Sequence, residues 1–170
     1  MKKIVDTVLV FLVVEDASGQ HLLMIEKTSG QGAGKLNVPG GKREHPESAL
    51  DAARRELLEE TGVALDESDW EPRGELLFEF EDTKRDWNNR CEIFFRRIRG
   101  RKPKTFVEGE EGRVFWVQVN ELPLTRMWAS DREWVPAVMN GKNVQGHYVF
   151  APDHQLARAD LKTFDVDSQR

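Results

Sequence analysis

The chain has 170 residues, of which 39% are hydrophobic and 32% charged, and its formal net charge is −5. That length suits one ordinary domain with a real core, and the mix is that of a globular protein rather than a disordered or membrane-embedded one. A net-acidic chain argues against a protein that coats nucleic acid, which needs a basic face, but it admits a small anionic substrate where a bound metal supplies local positive charge.

From the N-terminus, Lys2 and Lys3 followed by the apolar run Val8 to Val14 imitate a signal peptide. Asp6 precedes that run, Glu15-Asp16 follow it without a small-residue cleavage pattern, and the run is too short to span a bilayer. A single cysteine, Cys91, excludes an intrachain disulfide and suits a reducing compartment, so a cytoplasmic protein with no membrane association is expected. Val8 to Val14 itself reads as a buried strand ending at the Asp16 to Gly19 turn, and His21 to Glu26 as its hairpin partner. Thr28 to Lys35 is a Gly-rich loop, Leu36 to Pro39 a short extended piece, and Gly40-Gly41 is expected to break it. Pro46 to Thr61 reads as a helix, with Pro46 at its first position, Leu50, Ala53 and Leu57 on an apolar face, and Gly62 as a left-handed cap. Strands are predicted near Glu75 to Glu81, Cys91 to Ile98 and Arg113 to Val119. A second helix is predicted over Asp131 to Met139, with Ser130 and Glu133 as a capping box, and a last hairpin over Gly146 to Phe150 and the segment containing Leu156, Leu161 and Phe164. No repeat or long linker appears, so a single α/β domain over residues 1–170 is expected, with helices packed on a mixed sheet and a polar tail after about 164. The basic stretch Arg96 to Lys104 reads as an edge strand protected from aggregation by its charge, with steering of phosphates or contact with RNA as the alternative.

Glu56, Glu59 and Glu60 lie at i, i+3 and i+4, which places three carboxylates on one helical face. Two sit in the last turn, where the helix dipole already favours cations, and like charges at this spacing repel. A hard divalent cation would reverse both penalties, since Mg²⁺ prefers carboxylate oxygen. A plain solvated acidic face is the alternative. The surroundings favour the metal. From Gly41 the chain reads G-KREHP-E-SALDAAR-RELLEETGV, with Gly41, Glu47, Arg55, Glu56, Leu57, Glu59, Glu60, Gly62 and Val63 at the fixed positions of a known motif. This stretch, residues 41–63, resembles the box of the Nudix hydrolases.

That resemblance implies a Nudix fold, a mixed curved sheet sandwiched between helices. It implies Mg²⁺, with Mn²⁺ as a substitute, held by the Gly40 carbonyl and by Glu56, Glu59 and Glu60. Arg55 would fix the direction of a neighbouring carboxylate, although a surface pair with Glu59 also explains it. Glu47, placed in the first turn, fits a structural or a metal role. Glu111, in E-GRVFW, resembles a further glutamate that completes such sites as ligand or base; an ordinary polar loop is the alternative. The catalytic set is then Arg55, Glu56, Glu59 and Glu111.

The similarity extends beyond the box, over roughly Thr7 to Phe164, to the family's oxidised-purine branch, the 8-oxo-dGTP diphosphatases. G-A-G-K-L-N places Asn37 as a base-binding residue, F-E-F places Phe78 and Phe80 on a pocket strand, and M-W-A-S-D places Trp128 and Asp131 as base-stacking and base-edge residues. Lys27 is a further substrate-binding candidate. Indole can stack on a purine, and amide and carboxyl groups suit a base edge. The branch carries two adjacent aspartates where this chain has Ser130-Asp131, which bears on base preference. Core packing of Trp128, Phe78 and Phe80, helix-start charge for Asp131 and a loop role for Asn37 remain open alternatives. The implied partner is a purine nucleoside triphosphate, hydrolysed to monophosphate and pyrophosphate by a monomer with no stable nucleic-acid partner. Another nucleoside diphosphate derivative (an unmodified dNTP, ADP-ribose, a dinucleoside polyphosphate, capped RNA) or a binding module without turnover are the competing functions.

Overall fold

The computed structural model describes residues 1–29, 32–106, 108–109 and 112–166. Its spine is β1 (Lys3–Asp16), which pairs in parallel with β6 (Trp87–Arg99) along almost its whole length. β2 (Gly19–Lys27), β5 (Glu71–Phe80), β7 (Glu108–Gly109), β8 (Gly112–Gln118), β9 (Lys142–Phe150) and β10 (Leu156–Asp165) complete one mixed sheet in the order β10-β9-β5-β6-β1-β2-β8-β7. Two short strands hang on it: β3 (Leu36–Asn37) on β2 and β4 (Gly40–Lys42) on β1.

The alternation of β1 decides which helix covers which face, because successive strand side chains point to opposite sides. Val8, Val10 and Leu12 are buried with Ala52, Ala53 and Leu57 of α1 (Ala49–Thr61). Phe11 and Val13 are buried with Trp134, Val135 and Val138 of α2 (Asp131–Met139). The sheet therefore lies between two helices, as the sequence led us to expect. Among the described residues no helix is long and apolar enough to cross a membrane.

Five local expectations are corrected. α1 begins at Ala49, not Pro46, because Ser48 caps it: the Ser48 hydroxyl accepts from the Asp51 N–H at 3.1 Å. Pro46, after a cis His45–Pro46 bond, and Glu47 thus precede the helix. Gly62 does end it, with φ 79° and its N–H on the Leu58 carbonyl. Gly40 and Gly41 do not break a strand; they form one, pairing with Leu9 and Val8. Ser130 has helical φ and ψ and makes no side-chain cap, so the expected capping box is absent. Finally, the basic stretch starts inside the sheet rather than at its edge: β6 lies between β5 and β1. Its positive charge is answered by Arg96–Asp66, Arg97–Glu15 and Lys102–Asp16 pairs.

One feature of β1 prepares the functional site. On the edge away from β6, its first half pairs with β4 (Thr7 to Leu9) and its second half with β2 (Val13 to Asp16). Between them the Val10 N–H bonds the Pro39 carbonyl at 2.8 Å. The sheet is split there, and β4 brings Gly40 and Gly41 against the end of α1.

Candidate active site

The two glycines are required by close approach, not by a left-handed conformation. A Cβ on Gly41 would stand 2.2 Å from Glu56 Oε1, and one on Gly40 would stand 2.2 Å from the Val8 carbonyl oxygen. The bare backbone of β4 therefore lets the acidic end of α1 close in. The Gly40 N–H donates to Glu60 Oε2 at 3.0 Å, and the Glu56 carboxylate lies directly against Gly41.

Arg55 braces this end. Its Nη2 and Nε donate to the two oxygens of Glu47 at 2.7 and 3.1 Å, a bidentate pair that fixes the guanidinium plane. Nη1 then reaches Glu56 Oε1 at 3.0 Å and Glu59 Oε2 at 3.1 Å, while Nη2 also meets the Lys42 carbonyl at 2.9 Å. This is more than the surface Arg55–Glu59 pair that sequence spacing allows. Hydrogen bonding from Arg55 holds the Glu47 carboxyl below its ordinary range, and Glu47 in turn raises Arg55. Glu47 is thus placed as the anchor of Arg55.

The donor chemistry suits a hard divalent cation: Glu56, Glu59 and Glu60 offer carboxylate oxygen around one bend of backbone. Among the described residues no three His, Cys, Asp or Glu side chains converge into a ready-made cage, since Arg55 and the Gly40 N–H hold the carboxylates instead. Glu111 lies outside the described residues.

On the α2 side of the split, a cavity of about 330 Å³ opens, with Gly40 and Gly41 in its wall. Lys27, Asn37, Phe78, Trp128 and Asp131, drawn from β2, β3, β5, the turn before α2 and α2 itself, all line it. Phe80 shares the face of Phe78 and stacks on Phe150, whose ring meets the edge of Trp128 at 5.6 Å. Lys35 Nζ sits over the Trp128 indole at 5.1 Å. Asn37 spends its carbonyl oxygen on the Val38 N–H at 2.8 Å, so the loop role foreseen for it is real, and it nevertheless lines the cavity. Trp134 belongs to the core.

Asp131 is almost wholly buried, 4% exposed, and burial pushes its carboxyl up to about 7. Three donors hold it: Ser130 Oγ and Trp134 Nε1 on Oδ1, at 3.2 and 3.1 Å, and the Trp128 N–H on Oδ2 at 3.1 Å. Ser130 thus acts as a donor to Asp131.

Sequence reasoning missed Lys42, Arg85, Trp87, Asn89 and Phe150, all of which line the cavity. Arg85 lies on the loop before β6, its guanidinium carbon 3.7 Å from the Phe80 ring centre and 3.5 Å from that of Trp87. Lys42 Nζ stands 4.6 Å from the Trp87 ring. One signal was available: Trp87, Asn89 and Cys91 alternate, as one face of a strand must. The polar residues among them hid the beginning of β6.

The NUDIX domain family model matches residues 5–138. An oxidized purine nucleoside triphosphate hydrolase of Mus musculus is 32% identical over 147 residues, covering 86% of this chain and 89% of that protein. A protein of the same description from Danio rerio is 35% identical over 142 residues, covering 84% and 86%. Among solved structures, a MutT protein of Bacillus halodurans superposes with a TM-score of 0.71 at 23% identity, covering 92% of this chain and 97% of that one.

Proposed function

Because the chain belongs to the NUDIX family, we propose that it hydrolyses purine nucleoside triphosphates, oxidised ones such as 8-oxo-dGTP among them, to the monophosphate and pyrophosphate. The observation that carries this reading is that Asn37, Trp128 and Asp131 line the same cavity as Gly40 and Gly41, against which Glu56 and Glu60 are set. A base held at one end of such a cavity places its phosphates at the acidic end of α1. The two relatives named for oxidised purine nucleoside triphosphates support the substrate class.

In this reading Trp128 stacks on the purine, and Asn37 and Asp131 meet its edge. Asp131, poised near neutrality, can accept from the base when ionised or donate to it when protonated. Lys42, in the cavity wall, offsets the charge of the phosphates, and Lys27, also in the wall, serves the sugar or base. Glu56, Glu59 and Glu60, with the Gly40 carbonyl, are the groups that would hold Mg²⁺ or Mn²⁺, and Glu111 is assigned to them by sequence. When bound, that cation neutralises phosphate charge and makes a water more acidic. Arg55 acts as a positioning residue, aiming Glu56 and Glu59 through Nη1.

The test is pyrophosphate release from a panel of dGTP, 8-oxo-dGTP, dATP and 2-hydroxy-dATP with Mg²⁺ present. The expected result is turnover with kcat/KM highest for an oxidised purine. Glu59→Gln, at a side chain that is largely exposed, should keep the fold and lower kcat by roughly 10²–10⁴-fold. Equal kcat/KM for dGTP and 8-oxo-dGTP would remove the preference for oxidised bases, and no release from any member would remove the hydrolase reading.

A further inference from the structure

The turn between β9 and β10 carries a residue that its backbone does not favour. Ala151, Pro152, Asp153 and His154 close as a turn: the His154 N–H donates to the Ala151 carbonyl at 2.8 Å, and the Ala151 N–H to the Gln155 carbonyl at 2.9 Å. Proline suits the second place of such a turn and glycine the fourth. Hairpin loops of this length put that fourth residue in the left-handed region, which glycine enters without steric cost. Here the fourth residue is His154, with φ 65°. A residue with a Cβ is strained there, and such strain persists only where its surroundings impose it.

The side chain shows what is gained. The imidazole centre lies 5.8 Å from that of the Trp128 ring, with the planes at 45°. Phe150, four residues earlier on the same hairpin, meets the same indole at 5.6 Å in a T-shaped contact. One hairpin thus sets two rings against Trp128, whose own N–H is tied to Asp131 Oδ2. Trp128 and Phe150 line the cavity, whereas His154 stands outside its wall. The imidazole is bounded in turn by Asp82, on the loop between β5 and β6, with Oδ2 4.0 Å from Nε2. Asp82 is fixed locally, since its Oδ1 accepts from the Lys84 N–H at 2.8 Å.

From this arrangement we infer that His154 is a positioning residue, which holds the Trp128 indole in the orientation that stacks on the base while touching no substrate itself. The inference rests on the proposed stacking role of Trp128 and adds what keeps that ring ready. An indole free to rotate must be ordered when a base lands on it, and that ordering weakens binding. Rings packed against it from behind order it during folding instead, so the surface is formed before the nucleotide arrives. The left-handed backbone of His154 is the counterpart of this gain: the turn gives up some stability, and the cavity receives a fixed indole.

Stability and affinity should therefore part company at this position. Isothermal calorimetry with dGMP, beside urea unfolding, would compare the wild-type protein with His154→Gly and His154→Phe. His154→Gly relieves the turn and removes the ring, whereas His154→Phe keeps a flat ring and the strain. The glycine variant should be the more stable of the two, yet bind dGMP about 3- to 10-fold more weakly than the wild type, the scale for ordering one side chain. The phenylalanine variant should bind within about twofold of the wild type. In a Trp128→Ala background His154→Gly should weaken binding by less than about a further twofold, because its effect passes through the indole. That pair also serves as the test if His154→Phe does not fold. Affinity that follows stability, weakest in His154→Phe, is the pattern of a purely structural turn and would overturn the inference alone. So would unchanged affinity in His154→Gly, or a full further loss in the Trp128→Ala background, which marks a direct contact with the nucleotide. Failure of the wild type to bind any purine monophosphate, together with no triphosphate turnover, would overturn the proposed function and this inference with it.

Discussion

The two parts of the candidate site are built differently. At the α1 end, Glu47, Arg55, Glu56, Glu59 and Glu60 lie within one turn-and-helix segment, and the brace from Arg55 to Glu56 and Glu59 spans at most four residues. At the opposite end, Asn37, Phe78, Trp128 and Asp131 come from three separate stretches of chain, only Trp128 and Asp131 sharing one. The first arrangement is set by helical periodicity and one close backbone approach. The second exists only once β1 has paired with β6 and α2 has settled on the sheet. A local network should therefore respond sharply to a single atom and leave the rest of the fold alone, whereas the assembled wall should respond by shifts in affinity and in stability.

The largest effect sharpens that contrast at the glycines. Gly41→Ala puts a methyl where Glu56 Oε1 now lies, and the far end of that side chain can swing away. The expected outcome is a loss of about 10²-fold in kcat, the scale for displacing a reacting group by an ångström, with little change in Tm. Gly40→Ala instead meets the Val8 carbonyl and the Leu9 backbone, which cannot move without β1. It should cost about 1–3 kcal/mol of stability, read by denaturant unfolding. If both variants lose stability alike, the acidic end is not the separable local network described here.

Trp128→Ala probes the assembled wall. Losing a stacking surface costs about 1–3 kcal/mol per base, so KM for a purine triphosphate should rise roughly 5- to 150-fold with a smaller change in kcat. An unchanged KM with a lowered Tm would return Trp128 to the core-packing role that its partly buried position also permits.

A further contrast is a pH dependence. The Asp131 carboxyl has a folded pKa of about 7 against an ordinary 3.8, so between those values the folded state binds the extra proton. Stability that Asp131 contributes when protonated is then fully present below about pH 4 and is lost as pH rises toward 7. Asp131→Asn cannot titrate. Whatever its baseline, its stability relative to the wild type should improve from about pH 4 to about pH 7 in urea titrations and level off above that. A constant difference across that range would mean that Asp131 is ionised throughout.

Much of this was legible in the residues alone. The alternation of β1, the apolar face of α1, the left-handed Gly62 and the spacing of Arg55, Glu56, Glu59 and Glu60 all follow from periods that neighbouring residues display without reference to the rest of the chain. Tertiary structure decided where the polar residues went. The Ser48 cap on the Asp51 N–H is local and was legible in the sequence, whereas Gly40-Gly41 becomes a strand because β1 offers it an edge. Arg85 and Trp87 enter the cavity wall because β6 begins earlier than its hydrophobic run, held there by its long parallel pairing with β1. Short-range periodicity is written into consecutive side chains. The partner of a polar group is set by whatever distant segment the packed sheet brings beside it.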